Sequence, residues 1–374
     1  MANTNTLGII FSNMHDETIN ELTAERTMGS IPYGGRYRLV DFALSNMVNS
    51  GIYDVGVVTK SNYQSLMDHV SSGREWDLAR KRMGLNILPP FGNAGGGIYR
   101  GKLEALANIS SFIQHSTEDY VVMTDCDLVA NIDYNELLAF HKANNADITI
   151  AYKPQEITPE TSRNKVIVSL DEQDNRLTDV FIHPSYLGKA NVLCNIFIIS
   201  RILLLRIISE ASSRNLYSFK EDILQKRCNI YRIFGYELKG YTARIDSLQS
   251  YYDANMELLN LENGNQLFLK TRPIYTKVRD EVPAKYGLNA AVTNSLVADG
   301  CVIDGEVENS ILFRNVYIEK GAKVKNSIIM QGTIIRKDSS LNCVITDKDV
   351  IVSETRELSG SPNYPIYIAK NIKV

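Results

Sequence analysis

What the sequence lacks narrows its function first. No apolar run in the 374 residues approaches the roughly 18–20 needed to cross a bilayer, so no membrane span is expected. Met1 to Thr6 holds neither a basic segment nor a long apolar core, so no secretory leader is expected and the cytoplasm is the predicted compartment. The five cysteines, odd in number and without a Cys-x-x-Cys pair, argue against a disulfide framework or a zinc site. The histidines show no metal-ligand spacing. A net charge of −3 supplies no basic field for nucleic acid or an anionic membrane. The most telling absence is local. Leu7-Gly8-Ile9-Ile10-Phe11 reads as a buried first strand, and the loop after such a strand is where open α/β sheets grip phosphates. That loop normally has glycines, which let backbone N–H groups approach the anion, and a Lys or Arg. From Ser12 to Thr23 there is no Gly, Lys or Arg. The location suits nucleotide chemistry and the side chains do not.

What is present is enough apolar mass for a large core, and a length that predicts two or more domains. Up to about residue 200, short apolar runs alternate with amphipathic stretches. The runs are 7–11, 55–59, 120–124, 148–152 and 196–199; the helical stretches are 37–50, 61–70, 102–115 and 134–144. Alternation of this kind predicts an α/β domain with a mostly parallel, Rossmann-like sheet. Gly95-Gly96-Gly97 reads as a flexible loop, since no helix start follows it. Residues 247–262 read as helical, placing the first domain at 1–262 and a linker at 263–290. Beyond it, Asn294-Ser, Asn309-Ser, Asn326-Ser and Asn342-Cys each precede an apolar pair, at spacings of 15, 17 and 16. Val316, Ala322, Ile328 and Ile334 recur every six residues. A six-residue period of small and β-branched residues predicts a left-handed hexapeptide β-helix over 291–374, with flat faces that favour oligomer contacts. A β-sandwich is the alternative.

The run Pro32-Tyr-Gly-Gly-Arg-Tyr-Arg-Leu-Val-Asp-Phe-Ala-Leu-Ser-Asn46 resembles the ADP-glucose pyrophosphorylase (glucose-1-phosphate adenylyltransferase) family. So do Ser50-Gly-Ile52, Trp76-Asp-Leu78, Leu88-Pro-Pro90, Tyr99-Arg-Gly101, Asp246–Asn255, Pro273–Thr276 and Ala284-Lys-Tyr286. The resemblance implies a nucleotidyltransferase domain joining ATP and glucose 1-phosphate to ADP-glucose and pyrophosphate with Mg²⁺, in an allosteric tetramer. It also shows what has changed. The family's loop glycines fall on Asn13, Met14 and Asp16, its loop arginine on Thr18, and its lysine before the Pro-Phe-Gly-Gly block on Met28. Its sugar-binding Glu-Lys falls on Ile182-His183, and its Gly-Thr-Ala segment on Gly101-Lys102-Leu103. One metal-binding Asp is matched by Asp127, and the second falls on Arg244. An arginine offers a metal no lone pair, so Arg244 is expected to pair with Asp127 in the cation's place.

With no catalytic residue set intact and Asp127 vestigial, the resemblance implies a noncatalytic, regulatory pseudoenzyme. It would raise the activity of a catalytic homologue, GlgC, within a hetero-oligomer, expected to be a tetramer, in glycogen biosynthesis. No metal or cofactor is expected in this chain, Mg²⁺ being expected in the partner. A sugar-phosphate effector is expected at basic residues, with Arg26, Arg36 and Arg38 the candidates and Arg74, Arg80, Lys81 and Arg82 further ones; Glu25 stands where the family has a lysine. Two alternatives stand. One is a weakly active adenylyltransferase relying on Asp127. The other is a different sugar-nucleotide transferase reading Asp125-Cys126-Asp127 as a metal motif.

Overall fold

The computed structural model describes residues 5–90 and 99–374, so the Gly95-Gly96-Gly97 loop lies outside the described residues. The first domain is built on a nine-stranded sheet. Its order is Leu177–Ile182, Val166–Leu170, Gly188–Ser200, Tyr120–Asp125, Thr6–Phe11, Asp54–Val58 and Gly84–Leu88; Ile148–Ile157 pairs with Gly188–Ser200 and with Ile233–Glu237. The strand Thr6–Phe11 is buried along its whole length, as an inner strand covered on both faces must be. Its partners Asp54–Val58 and Tyr120–Asp125 run parallel to it, ending their C-termini beside the Ser12 loop. The sheet turns antiparallel at Gly188–Ser200, so it is parallel in its first half and mixed overall. Helix Leu39–Asn49 is buried almost completely.

One irregularity positions a functional side chain. Strand Gly188–Ser200 keeps register with Ile148–Ile157 up to Leu193, loses it, and resumes at Phe197. Within this bulge Asn195 has φ 55° and is fully buried. A bulge re-aims a side chain that strict alternation would send elsewhere.

Helical structure runs past 262, through Leu261–Leu267, and the first strand of the second domain is already Lys285–Tyr286. The connecting stretch is therefore shorter than the 263–290 read from its weak periodicity. The second domain is a parallel β-helix whose coils contribute one strand each to three five-stranded sheets. Its axis is filled by stacked residues such as Ile303, Ile318, Ile335 and Val352. The Asn-Ser repeat has a physical cause. Asn294, Asn309 and Asn326 take φ of 41°, 46° and 46°, a left-handed conformation that Asn tolerates. Asn294 donates to Asn309 (2.7 Å) and Asn326 to Asn342 (2.9 Å). Each following serine turns inward, and the Ser310 and Ser327 hydroxyls accept the N–H of the next coil at 3.1 Å.

One face of the β-helix packs on the first domain. Ile311, Ile328 and Ile345 share an apolar core with Tyr251, Tyr252 and Leu258. Arg26 crosses the same boundary: one guanidinium nitrogen donates to both oxygens of Asp347 at 2.9 and 2.8 Å, and both residues are buried. The two domains thus share an apolar cluster at their boundary, beside the separate cores of the sheet and of the β-helix.

Candidate active site and anion cavity

The Ser12 loop closes on itself. Asn13 accepts the Lys60 N–H (3.0 Å) and donates to the Asp16 carboxylate. Asp16 Oδ1 in turn accepts the backbone N–H of Met28 at 2.9 Å, and the Thr23 hydroxyl donates to the Asp16 carbonyl at 2.7 Å. Burial raises the Asp16 carboxyl above its usual range, against Asn13 and the Met28 N–H. The loop's polar groups are thus satisfied within the chain, with a carboxylate at their centre. Thr18 is exposed, its hydroxyl donating to the His15 carbonyl (2.8 Å), and the Met28 side chain is buried in the apolar core. Neither offers positive charge.

At the C-terminal edge of the sheet, Asp125 and Asp127 lie with their side chains about 1% exposed. Asp125 Oδ1 accepts from Lys102 Nζ at 2.6 Å, and its Oδ2 faces His15 Nε2 at 2.8 Å. Asp127 Oδ2 accepts from Arg244 Nε at 3.0 Å and from Asn195 Nδ2 at 3.1 Å, and lies 3.5 Å from His15 Nε2. Burial alone would push Asp125 up, but Lys102 and His15 outweigh it and hold it well below the usual carboxylate range. Arg244 shows the complementary balance: burial pulls it down, and Asp127, Asp246, Cys194 and Asp125 together raise it above its usual value. Burial and the neighbouring Arg244 draw Lys220 down to about 8, against the pull of Asp125. Above these groups opens a cleft of about 520 Å³ lined by Asp16, Glu17, Lys60, Tyr99, Lys102 and Lys220, among others.

The structure thus brings Asp127 and Arg244 together. It adds Lys102, His15, Asn195 and Lys220, which sequence reasoning did not single out. Lys102 and His15 sat inside segments already compared with the family; Lys102 in place of Thr was a readable signal, whereas His15 falls between the glycine positions and carried none. Asn195 carried none, because the bulge alone aims it.

A second constellation lies between the domains. Arg36 and Arg38 line a narrow cavity of about 30 Å³ with Lys277, Arg279, Arg314, Lys348 and His69, and among the described residues no acidic side chain lines it. Arg38 donates to the Ser65 carbonyl (2.6 Å) and hydroxyl (3.0 Å). Burial, with Arg38 and Arg26 close by, draws Lys348 down to about 7. Burial lowers Arg314 as well, and its buried Nε has no hydrogen-bond partner. Arg26 does not line this cavity, because Asp347 holds it at the domain boundary. Arg74, Arg80, Lys81 and Arg82 are also absent from the lining, and Arg80 instead stacks on Tyr53 at 3.8 Å. Among the described residues, no helix is long and apolar enough to cross a membrane.

The fold is that of a nucleotidyl transferase. Residues 17–259 match the nucleotidyl transferase family, and residues 281–362 match the GlmU-like C-terminal hexapeptide family. The chain is similar to the glycogen biosynthesis protein GlgD of Bacillus subtilis, 37% identical over 100% of this chain and 98% of the relative. It is also similar to the glucose-1-phosphate adenylyltransferases of Clostridium perfringens (32% identical; 90% of this chain, 87% of the relative) and of Pseudothermotoga lettingae (32%; 85% and 76%). On these similarities the chain belongs to the glucose-1-phosphate adenylyltransferase family.

Proposed function

We propose that this chain is a regulatory, catalytically impaired subunit acting in glycogen biosynthesis. It associates in the cytoplasm with a catalytic homologue that makes ADP-glucose and pyrophosphate from ATP and glucose 1-phosphate, and it raises that homologue's activity. The observation that carries this reading is the Ser12 loop. Adenylyl transfer needs donors and cations on the triphosphate; here Asp16 and Glu17 face the cleft and Asp16 takes the Met28 N–H. Loss of a single transition-state donor costs about 10²–10³ in rate, and loop glycines, loop arginine and lysine are all replaced. The full-length similarity to a glycogen biosynthesis protein supports the pathway.

Control would enter through the cavity between the domains. Its cations come from the first domain, the connecting stretch and the β-helix, so one phosphorylated effector would bind all three and bias their arrangement. Coupling of this kind is typically worth about 1–3 kcal/mol.

The alternative, weak adenylyltransferase activity of the chain itself, is favoured by one observation: His15, Asp125 and Asp127 present ligand atoms within 4.8 Å of one another. ADP-glucose synthesis by the chain alone, the catalytic homologue alone and the two co-purified separates the readings. The chain is expected to be silent alone and to raise the homologue's kcat or lower its KM. Mg²⁺-dependent turnover by the chain alone, abolished by Asp127→Asn, would overturn the regulatory reading.

A further inference from the structure

Family chemistry calls for a divalent cation at the paired carboxylates, and the donor set here does not fit one. We infer that Lys102 and Arg244 are built-in counter-ions standing in for a divalent cation, and that the Asp125–Asp127 centre is a closed, metal-free charge cluster.

Three features carry this. The first is how the lone pairs are used. Lys102 occupies Asp125 Oδ1, and His15 occupies Oδ2. Arg244 and Asn195 both donate to Asp127 Oδ2. His15 Nε2 lies 2.8 Å from Asp125 Oδ2 and 3.2 Å from Asn195 Nδ2, so it is enclosed by hydrogen-bonding groups of the chain itself. The closeness of His15, Asp125 and Asp127 is thus the closeness of a hydrogen-bonded network.

The second feature is charge. Two carboxylates are already matched by one ammonium and one guanidinium, and Lys220 adds a further cation to the same field. A dication arriving at the pair would meet two carboxylates that each already have a cation at hydrogen-bond distance.

The third is that neither counter-ion has another place to go. The Lys102 side chain is 7% exposed and the Arg244 side chain 5%. Lys102 Nζ sits 4.7 Å from the Phe11 ring centroid and 4.9 Å from that of Phe197. Displacing either cation would strand a buried charge among apolar groups, at a cost greater than the hydration it could regain.

The inference deepens the regulatory reading but fails separately from it. A chain that is silent alone yet binds a metal would sink the inference and leave the regulatory role standing. The test is Mn²⁺ titration of the full-length chain, with free Mn²⁺ followed by electron paramagnetic resonance. The wild-type chain is expected to show no saturable site up to millimolar Mn²⁺. Lys102→Thr combined with Arg244→Asp removes both counter-ions and adds a carboxylate; it is expected to bind one Mn²⁺ at least tenfold more tightly than wild type, and to lose that binding when Asp127→Asn is added. Saturable wild-type binding lost with Asp127→Asn would overturn the inference. So would a folded double variant that binds no Mn²⁺, since something other than these two residues would then exclude the ion. If the double variant does not fold, Arg244→Asp alone decides: Mn²⁺ is expected to raise its melting temperature, and an unchanged melt counts against the inference.

Discussion

Arg244→Ala is the perturbation whose size the structure defines most sharply. The guanidinium is nearly inaccessible, and Asp127, about 1% exposed, loses its principal counter-charge when it goes. Removing one member of a buried ion pair costs about 3–5 kcal/mol, because the remaining charge has neither partner nor water. Asn195 still donates to Asp127 at 3.1 Å and His15 stays 3.5 Å away, which places the expected loss near the lower end of that range. The control is Arg232→Ala, which breaks a pair with Asp147 whose arginine is 54% exposed, and should cost about 0–1 kcal/mol. Urea unfolding read by tryptophan fluorescence suits both variants. Trp76, the single tryptophan of the chain, is buried in the first domain's core and reports that domain's transition. Replacing both partners, Asp127→Leu with Arg244→Met, should recover most of the loss, since no unpaired charge then remains. If Arg244→Ala costs less than about 1 kcal/mol, or the double variant is worse than the single, the picture of a closed ion pair is wrong.

Four further outcomes are expected. Inorganic phosphate should bind the cavity between the domains and be weakened by Arg38→Ala or Lys348→Met. Because burial holds Lys348 near 7, a bound anion should draw a proton onto it, so that calorimetry in buffers of different ionisation heat detects proton uptake and affinity falls as pH rises through 7. Without ligand, the lowered folded value of Lys348, against 10.5 unperturbed, means the unfolded chain binds more protons between pH 7 and 10.5. Stability should therefore rise across that window, and Lys348→Met should flatten the rise and stabilise the chain most near pH 7. Asp347→Asn should weaken the Arg26 contact across the domain boundary by about 3 kcal/mol and resolve calorimetric melting into separate transitions of the two domains; a single unshifted transition would show that the apolar boundary alone couples them. Asn309→Ala loses an inter-coil hydrogen bond and strains a residue at φ 46°, and should cost about 1–2 kcal/mol, whereas Asn309→Gly should cost less.

Much of the architecture is legible residue by residue. A strand buried on both faces must be apolar throughout, which is why the first and central strands could be read directly. A β-helix repeats its sequence because each coil repeats its environment, which made the Asn-Ser spacing readable. The arm Val166–Leu170 with Leu177–Ile182, and the edge strand Gly84–Leu88, were not legible. Half-exposed strands mix polar and apolar residues, and their pairing partners lie elsewhere in the chain. Residues 263–267 of the helix Leu261–Leu267 were read as linker because the sequence there, Asn-Gly-Asn-Gln-Leu, carries a glycine and little periodicity.

The site divides the same way. By itself the sequence determined that the first loop lacks glycine and positive charge, that a carboxylate survives at Asp127, and that an arginine stands where its family offers a second carboxylate. These are statements about residue identity at a known place in a known fold. Only the tertiary structure decided what those residues do. The bulge at Asn195 turns an amide onto Asp127. Lys102, the first residue of the helix Lys102–Asn108, reaches Asp125 with its ammonium beside the Phe11 and Phe197 rings. The basic cavity draws its cations from stretches as far apart as Arg36 and Lys348, which meet only because the β-helix packs against the first domain. Electrostatic energy depends on distance and burial, and neither is fixed until the chain has folded.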